Sequence, residues 1–326
     1  MKIRQGCRSV LAERRNVGGE WLRGHLALLL LALVFLCFSV ASPAFLSWMN
    51  LKNLLLQNTH MLILVAGLSI IMLGGDVDLS VGYQISLISV VAGRLLLMQP
   101  HVWPAIAGGL LTAVLCGTLN GFLVSMVDIL PFAATLATLM LYRGISYMLA
   151  GQANFTQLPS GLRGLTRTLL LGLPLDVWLA ILCLAAVGFL FQFTYFGRYI
   201  RAMGEDEAAT RRAGVDVSKM RWGCYIVGSL FFALAAFVMI SKQGTVSASA
   251  GIGLEVNGIA AIMVGGVSLY RSGSGSHEVR LANIIAGMFV LAAVENGIQL
   301  LGGSLYAQYI VVGVIVIFAM IANHRK

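Results

Sequence analysis

Ten apolar runs divide the chain, at about 26–46, 54–74, 82–99, 104–127, 131–150, 175–196, 222–241, 253–269, 281–301 and 305–322. Most approach the ~20 residues that an α-helix needs to cross a hydrocarbon core. Lipid offers the backbone no hydrogen-bond partners, so such runs must satisfy their own N–H and C=O groups. The sequence therefore predicts an all-α, polytopic integral membrane bundle of about ten transmembrane helices, interrupted near 74–82 and 253–280. Only 11% of the 326 residues are charged, where a soluble domain carries about a quarter. Pro100, Pro104, Pro131 and Pro174 fall at run edges, where a missing N–H costs least.

The net charge of +9 raises the question of nucleic acid. The position of the charges answers it. With the N-terminus inside and ten alternating spans, sixteen of the 22 Lys and Arg fall on the inner side. They lie in 1–25, 197–221, 270–280 and the last residues. Lys52, Arg163, Arg167 and Lys242 fall outside, and Arg94 and Arg143 fall within runs. Membrane proteins concentrate basic residues on the cytoplasmic side, so the charge describes orientation and calls for no nucleic-acid partner. The expected organisation is a cytoplasmic tail over 1–25, one transmembrane domain over 26–322 with a cytoplasmic loop at 197–221, and a cytoplasmic end at 323–326. The five cysteines, Cys7, Cys37, Cys116, Cys183 and Cys224, form no CxxC and read as small hydrophobes.

Residues 74–82, Gly-Gly-Asp-Val-Asp-Leu-Ser-Val-Gly, break the apolar pattern. Gly74 and Gly75 weaken a helix. Gly75, Asp76, Asp78 and Ser80 place polar groups where irregular backbone persists only if it is buried in protein or lines a water-filled cavity. Two readings fit: a turn at the membrane surface with both carboxylates solvated, or a polar segment used in transport. Arg94, Arg143, Glu255 and Glu295 are the other charges within runs, and ionisable groups at such depth are candidates for function. Glu295 and Asn296, with Gln299, form a polar patch suited to lining a pathway or joining helices.

Within 197–221, residues 205–213 read as a short helix too short to span. Acidic residues precede Arg211 and Arg212, as the helix dipole favours. Glu207 and Arg211 are spaced i,i+4, and Gly214 sits where a left-handed cap would close the helix. This segment is a solvated connector or a helix that docks on a partner. The 326 residues contain no GxxxxGK[ST], HExxH or GxSxG and no Cys/His cluster, so nothing predicts catalysis, a cofactor or a metal in this chain.

Gly75 and Val77–Gly82 resemble the Gly-Gly-Ile-Asp-Leu-Ser-Val-Gly signature of the bacterial ribose/xylose/arabinose-type permeases, the membrane subunits of ABC sugar importers; Asp76 replaces the second Gly. Phe196-Gly197-Arg198, Ala202-Met203-Gly204, Ala209, Arg211 and Gly214-Val215 resemble the cytoplasmic motif of that family. Further matches are Leu119-Asn120-Gly121, Pro131-Phe132 through Arg143-Gly144, Gly253 through Leu269, and Glu295-Asn296-Gly297. The polar stretch 270–280 is longer than the turn usual in the family. The resemblance implies a permease for a monosaccharide or similar polyol in a bacterial inner membrane. Gly204, Glu207, Arg211 and Gly214 would belong to a loop that couples to an ATPase subunit. A periplasmic sugar-binding protein and a second permease copy, as a homodimer or a paired permease, would complete the importer. The alternative is a secondary transporter or channel with an ion site at Asp76 and Asp78.

Overall fold

The computed structural model describes residues 25–98, 101–151, 155, 162, 164–267 and 281–324. The tail at 1–24, the polar stretch at 270–280, Pro100 and the last two residues lie outside the described residues. Among the described residues the chain is all-α apart from one small hairpin. Its helices are α1 (Leu26–Ala41), α2 (Trp48–Gln57), α3 (Thr59–Leu73), α4 (Val81–Met98), α5 (Val102–Ser125), α6 (Pro131–Ala150), α7 (Gly164–Arg167), α8 (Leu175–Phe193), α9 (Tyr195–Glu205), α10 (Glu207–Arg212), α11 (Val217–Gln243), α12 (Leu254–Val264), α13 (Leu281–Leu300) and α14 (Leu305–His324). The hairpin pairs β1 (Leu169–Leu170) with β2 (Leu173–Pro174), Leu169 opposite Pro174. Leu171 and Gly172 between them both have positive φ, as a tight hairpin turn requires.

Among the described residues, α4, α5, α6, α8, α11 and α13 are long and apolar enough to cross a membrane, and α2 and α3, bent by 47° where they join, are so only when taken together. Three shorter apolar helices lie in α1, α12 and α14. The ten apolar runs thus each have their helix, two of them irregular. The run at 54–74 bends at Asn58, between α2 and α3. The run at 253–269 holds only the 11 residues of α12, about 16 Å of helix against a hydrocarbon thickness of about 30 Å. Pro131 opens α6 and Pro174 caps α8.

Contacts divide the chain into two compact units, each with its own core. In the larger, α11 lies at the centre and packs on α5, α3 and α4. It runs antiparallel to α3: Gly228 meets Gly67, Lys242 bonds to Thr59 and Arg221 pairs with Asp76. It runs parallel to α4, with Ser229 at Gln84 and Val246, just beyond its end, at Gly93. Therefore α3 and α4 are antiparallel, and the interruption at 74–80 is a reversal between two helices. Over an apolar 18-residue stretch of each helix, 72% of α4 and 67% of α11 is buried, against 28% of α5 and of α6. The outer helices therefore turn apolar faces outward, as lipid contact demands.

Lys242 closes the opposite end of this unit. Its ammonium sits 3.2 Å from Asp176 and also bonds to Thr59 and the Leu56 carbonyl, where α2 bends into α3. Arg94 donates to the Leu149 carbonyl, and Arg143 lies over the rings of Tyr83 and Tyr147. Arg143 thus stacks on aromatic faces. In the smaller unit, Val264 and Val290 pack with Leu30, Leu31, Val34 and Ile315, and Gly297 lies flat on the Phe38 ring, which stacks on Phe45.

Candidate functional site

Helix α3 ends at Gly74, and Gly75 follows with φ +92°. The Gly75 N–H donates to the Met72 carbonyl and the Asp76 N–H to the Ile71 carbonyl. This is the Schellman closure of a helix end, in which a left-handed residue returns the orphan carbonyls to bonding. The similar pentapeptide Ile262–Gly266 makes the same closure at the end of α12, with Gly266 at φ +97°. The two glycine pairs therefore do the same local work.

Beyond the cap, both carboxylates turn inward. Asp78 is 0% and Asp76 4% exposed, which overturns the reading of a solvated surface turn. Asp78 accepts from the Ser80 N–H at 2.8 Å, the Ser80 hydroxyl at 2.6 Å, Gln84 Nε2 at 2.9 Å and Asn120 Nδ2 at 3.3 Å. The bond to the N–H two residues on is an Asx turn, which launches α4. The same Gln84 and Asn120 nitrogens also donate to the Ser80 hydroxyl oxygen, each at 2.8 Å. Gln84 Oε1 in turn accepts from Ser229, and Asn120 Oδ1 accepts from Tyr142. One closed network therefore joins the reversal to α4, α5, α6 and α11. Each amide uses both donors and its acceptor, and the Ser80 hydroxyl donates once and accepts twice. A buried polar network satisfied to this degree fixes one arrangement of the helices around it.

Asp76 faces the other way. Arg221, in the first turns of α11, places Nε 3.0 Å from Asp76 Oδ2 and Nη2 2.7 Å from Glu207 Oε2. The Nε–H is not aimed squarely at the oxygen, so the contact with Asp76 is an ion pair more than a hydrogen bond. Glu207 uses its other oxygen to hold Arg211, 3.2 Å away. Side-chain exposure climbs along this chain of charges, from 4% at Asp76 and 12% at Arg221 to 25% at Glu207 and 60% at Arg211.

Glu207 and Arg211 belong to α10, and the sequence expectation for this helix needs correction. Residues 205–213 are not one helix. Glu205 ends α9, and Asp206 is extended and caps α10 by accepting from the Ala209 N–H. A short polar side chain there serves a new helix start better than it continues the old one. At the far end Gly214 has φ +86°, with Gly214 N–H to Arg211 carbonyl and Val215 N–H to Thr210 carbonyl. Both ends of α10 are thus closed, and Thr210 is its buried residue. Before it, α9 presses Ile200 and Met203 inward and brings Gly204 onto the carbonyl of Leu73, where a Cβ would overlap the oxygen. Thus Gly75, Asp76, Asp78 and Ser80 meet Gly204, Glu207 and Arg211 at one end of the larger unit.

A model of the family described as branched-chain amino acid transport system / permease component matches residues 50–320. The chain belongs to this permease family. It is 31% identical over 319 residues to the ribose import permease protein RbsC of Escherichia coli (strain K12), covering 96% of this chain and 97% of that protein. It is 32% identical over 299 residues to the L-arabinose transport system permease protein AraH of the same organism, 92% of this chain and 90% of that protein. It is 28% identical over 322 residues to the galactose/methyl galactoside import permease protein MglC, also of that organism, 93% and 94% of the two chains. No solved structure matches.

In this permease, Glu295 and Asn296 stand on α13 in the smaller unit, both half-buried. Glu255 opens α12, where Oε1 accepts from the Gly253 N–H. Its Oε2 occupies the place a Cβ on Gly82 would take. Arg221, Gln84, Ser229 and Tyr142 escaped the sequence reading, and Asn120 was read only as part of the Leu119-Asn120-Gly121 resemblance. Arg221 was visible only as one of six basic residues in its loop. Gln84 and Asn120 were visible as lone amides in apolar runs, which are as often helix glue as function.

Proposed function

We propose that this chain is the membrane permease subunit of an ATP-driven importer for a monosaccharide, of pentose or hexose type or a similar polyol, in a bacterial inner membrane. The chain forms the path, and separate cytoplasmic ATPase subunits drive it. A periplasmic sugar-binding protein delivers the substrate, and a second permease, identical or paired, completes the channel. Both termini lie in the cytoplasm, with α9 and α10 on the same side. The observation that carries this reading is similarity along almost the whole chain to permeases for ribose, arabinose and galactose.

The loop geometry supports it. A subunit without a nucleotide site must receive motion through contact, and α10 is a short helix capped at both ends whose Arg211 is exposed. Asp76, Asp78 and Ser80 serve transport in this reading by holding the adjoining ends of α3 and α4, and Gly75 by closing α3. Glu295 and Asn296 offer polar groups to sugar hydroxyls. An ion-coupled carrier would need a carboxylate free to take an ion. Asp76 is already paired with Arg221, and Asp78 already accepts four hydrogen bonds.

The test is isolation of the tagged permease from its own membranes under mild detergent. An ABC ATPase should co-purify, and the secreted binding protein of the same operon should bind a monosaccharide in a ligand screen. Isolation without any ATPase, from cells whose uptake stops when the ion gradient collapses, would favour the ion-coupled reading.

A further inference from the structure

We propose that Arg221 is the positioning residue that ties the ATPase-facing helix to the buried reversal, so that displacement of α10 is delivered to the junction of α3 and α4 through its guanidinium. The inference rests on the reading of α10 as the surface that meets the ATPase. It adds the route that the motion takes beyond that surface.

Three observations carry it. First, α10 is six residues closed by Asp206 at one end and Gly214 at the other; so capped, it moves as a unit. Second, Glu207 on this helix and Asp76 in the reversal are held by two different nitrogens of Arg221, at 2.7 Å and 3.0 Å. A planar guanidinium presents donors along several directions and can bridge two carboxylates at once, whereas an ammonium is a point charge on a flexible stem. Third, both links resist separation. Glu207 is mostly withdrawn from water and accepts a charge-assisted hydrogen bond from Arg221 at 2.7 Å, so the guanidinium follows α10. Asp76 and Arg221 are nearly buried, and separating such a pair leaves an uncompensated charge out of water. When α10 shifts, the system therefore keeps Arg221 with Asp76 and moves the reversal. Beyond Asp76 the chain runs two residues to Asp78, whose network grips α4, α5 and α11. A coupling route of this kind needs a contiguous physical network, and every link here is a direct contact.

A merely structural Arg221 would lower stability and leave each hydrolysed ATP as productive as before. The experiment therefore reads transport per ATP in the complete importer, reconstituted with its ATPase and its sugar-loaded binding protein. Arg221→Lys keeps a positive charge beside Asp76, so it should fold and retain the ATPase in pull-down. Its sugar transported per ATP hydrolysed should fall about tenfold, within the usual span of coupling between sites. Asp76→Asn and Glu207→Gln should each lower the same ratio. Their double variant should fall no further than the worse single one, because both cut one route. A wild-type ratio in Arg221→Lys, or losses that multiply in the double variant, would overturn the inference. If the wild-type permease itself fails to bind or stimulate the ATPase, the reading of α10 falls and the inference falls with it.

Discussion

Gly204 of α9 lies directly on the carbonyl oxygen of Leu73, the last residue of α3, with no room for a Cβ between them. The contact joins the end of a spanning helix to a helix that precedes α10 in the same connecting segment. Gly204→Ala must push α9 away from α3 or distort the end of α3. Overpacking of this kind costs about 1–3 kcal/mol. The expected outcome is normal membrane insertion, a lowered thermal midpoint in detergent and reduced sugar uptake. Wild-type midpoint and uptake would show that α9 shifts at no cost.

The Asp78 network predicts a different defect. Asn120→Ala removes one donor to Asp78 and leaves the Tyr142 hydroxyl with its bond to the Cys116 carbonyl, 3.1 Å away. Asp78→Leu is harsher, because Gln84, Asn120 and Ser80 all lose an acceptor in a fully buried place. An unsatisfied buried donor costs about 1–3 kcal/mol. Asp78→Leu should therefore lower both stability and transport more than Asn120→Ala does. Thermal unfolding of the two purified variants checks the order.

Gly214→Pro tests the far end of α10. The residue stands at φ +86° and donates to the Arg211 carbonyl. Proline fixes φ near about −65° and has no N–H. The end of α10 should unravel, with loss of ATPase binding and uptake but normal insertion. Charge reversal at Arg211 and Arg212 removes only about 0.3–1 kcal/mol of dipole interaction each, too little to unfold the bundle, so a transport defect there reports contact with the partner. Uptake at the wild-type level in all these variants would remove α10 from the coupling route.

Orientation is a separate prediction. Reporter fusions at Ala208 should register the cytoplasm, and fusions at Lys242 the outer side. The structure makes the pair informative, because α11 separates the Arg221 end from the Lys242 end. An external signal at Ala208 would invert the topology.

Much of this fold was legible from the residues because it is locally encoded. Apolar runs gave the helices, Gly75 and Gly214 marked two helix ends, and Glu207–Arg211 followed from i,i+4 spacing. The parts that were not legible depend on distant residues or on weak local signals. Asn58, where α2 bends into α3, is a residue that helices tolerate. Helix α9 reads as a connector because Tyr195–Glu205 mixes basic, aromatic and glycine residues; its buried Ile200 and Met203 find their partners only in the fold. Asp78 looked like a candidate ion site until Asn120 and Gln84 were seen to fill its acceptor positions, one of them 42 residues away. Arg221 looked like one more cytoplasmic charge, and only the fold places it between Asp76 and Glu207.

The central claim is that this permease carries a sugar with energy from a separate ATPase. The most direct measurement is uptake of labelled ribose, arabinose and galactose into proteoliposomes holding the permease, its ATPase and the sugar-loaded binding protein. The account predicts uptake of at least one monosaccharide that requires ATP, is lost when the ATPase is omitted and survives ionophores. Uptake that proceeds without the ATPase and collapses with the ion gradient would contradict it.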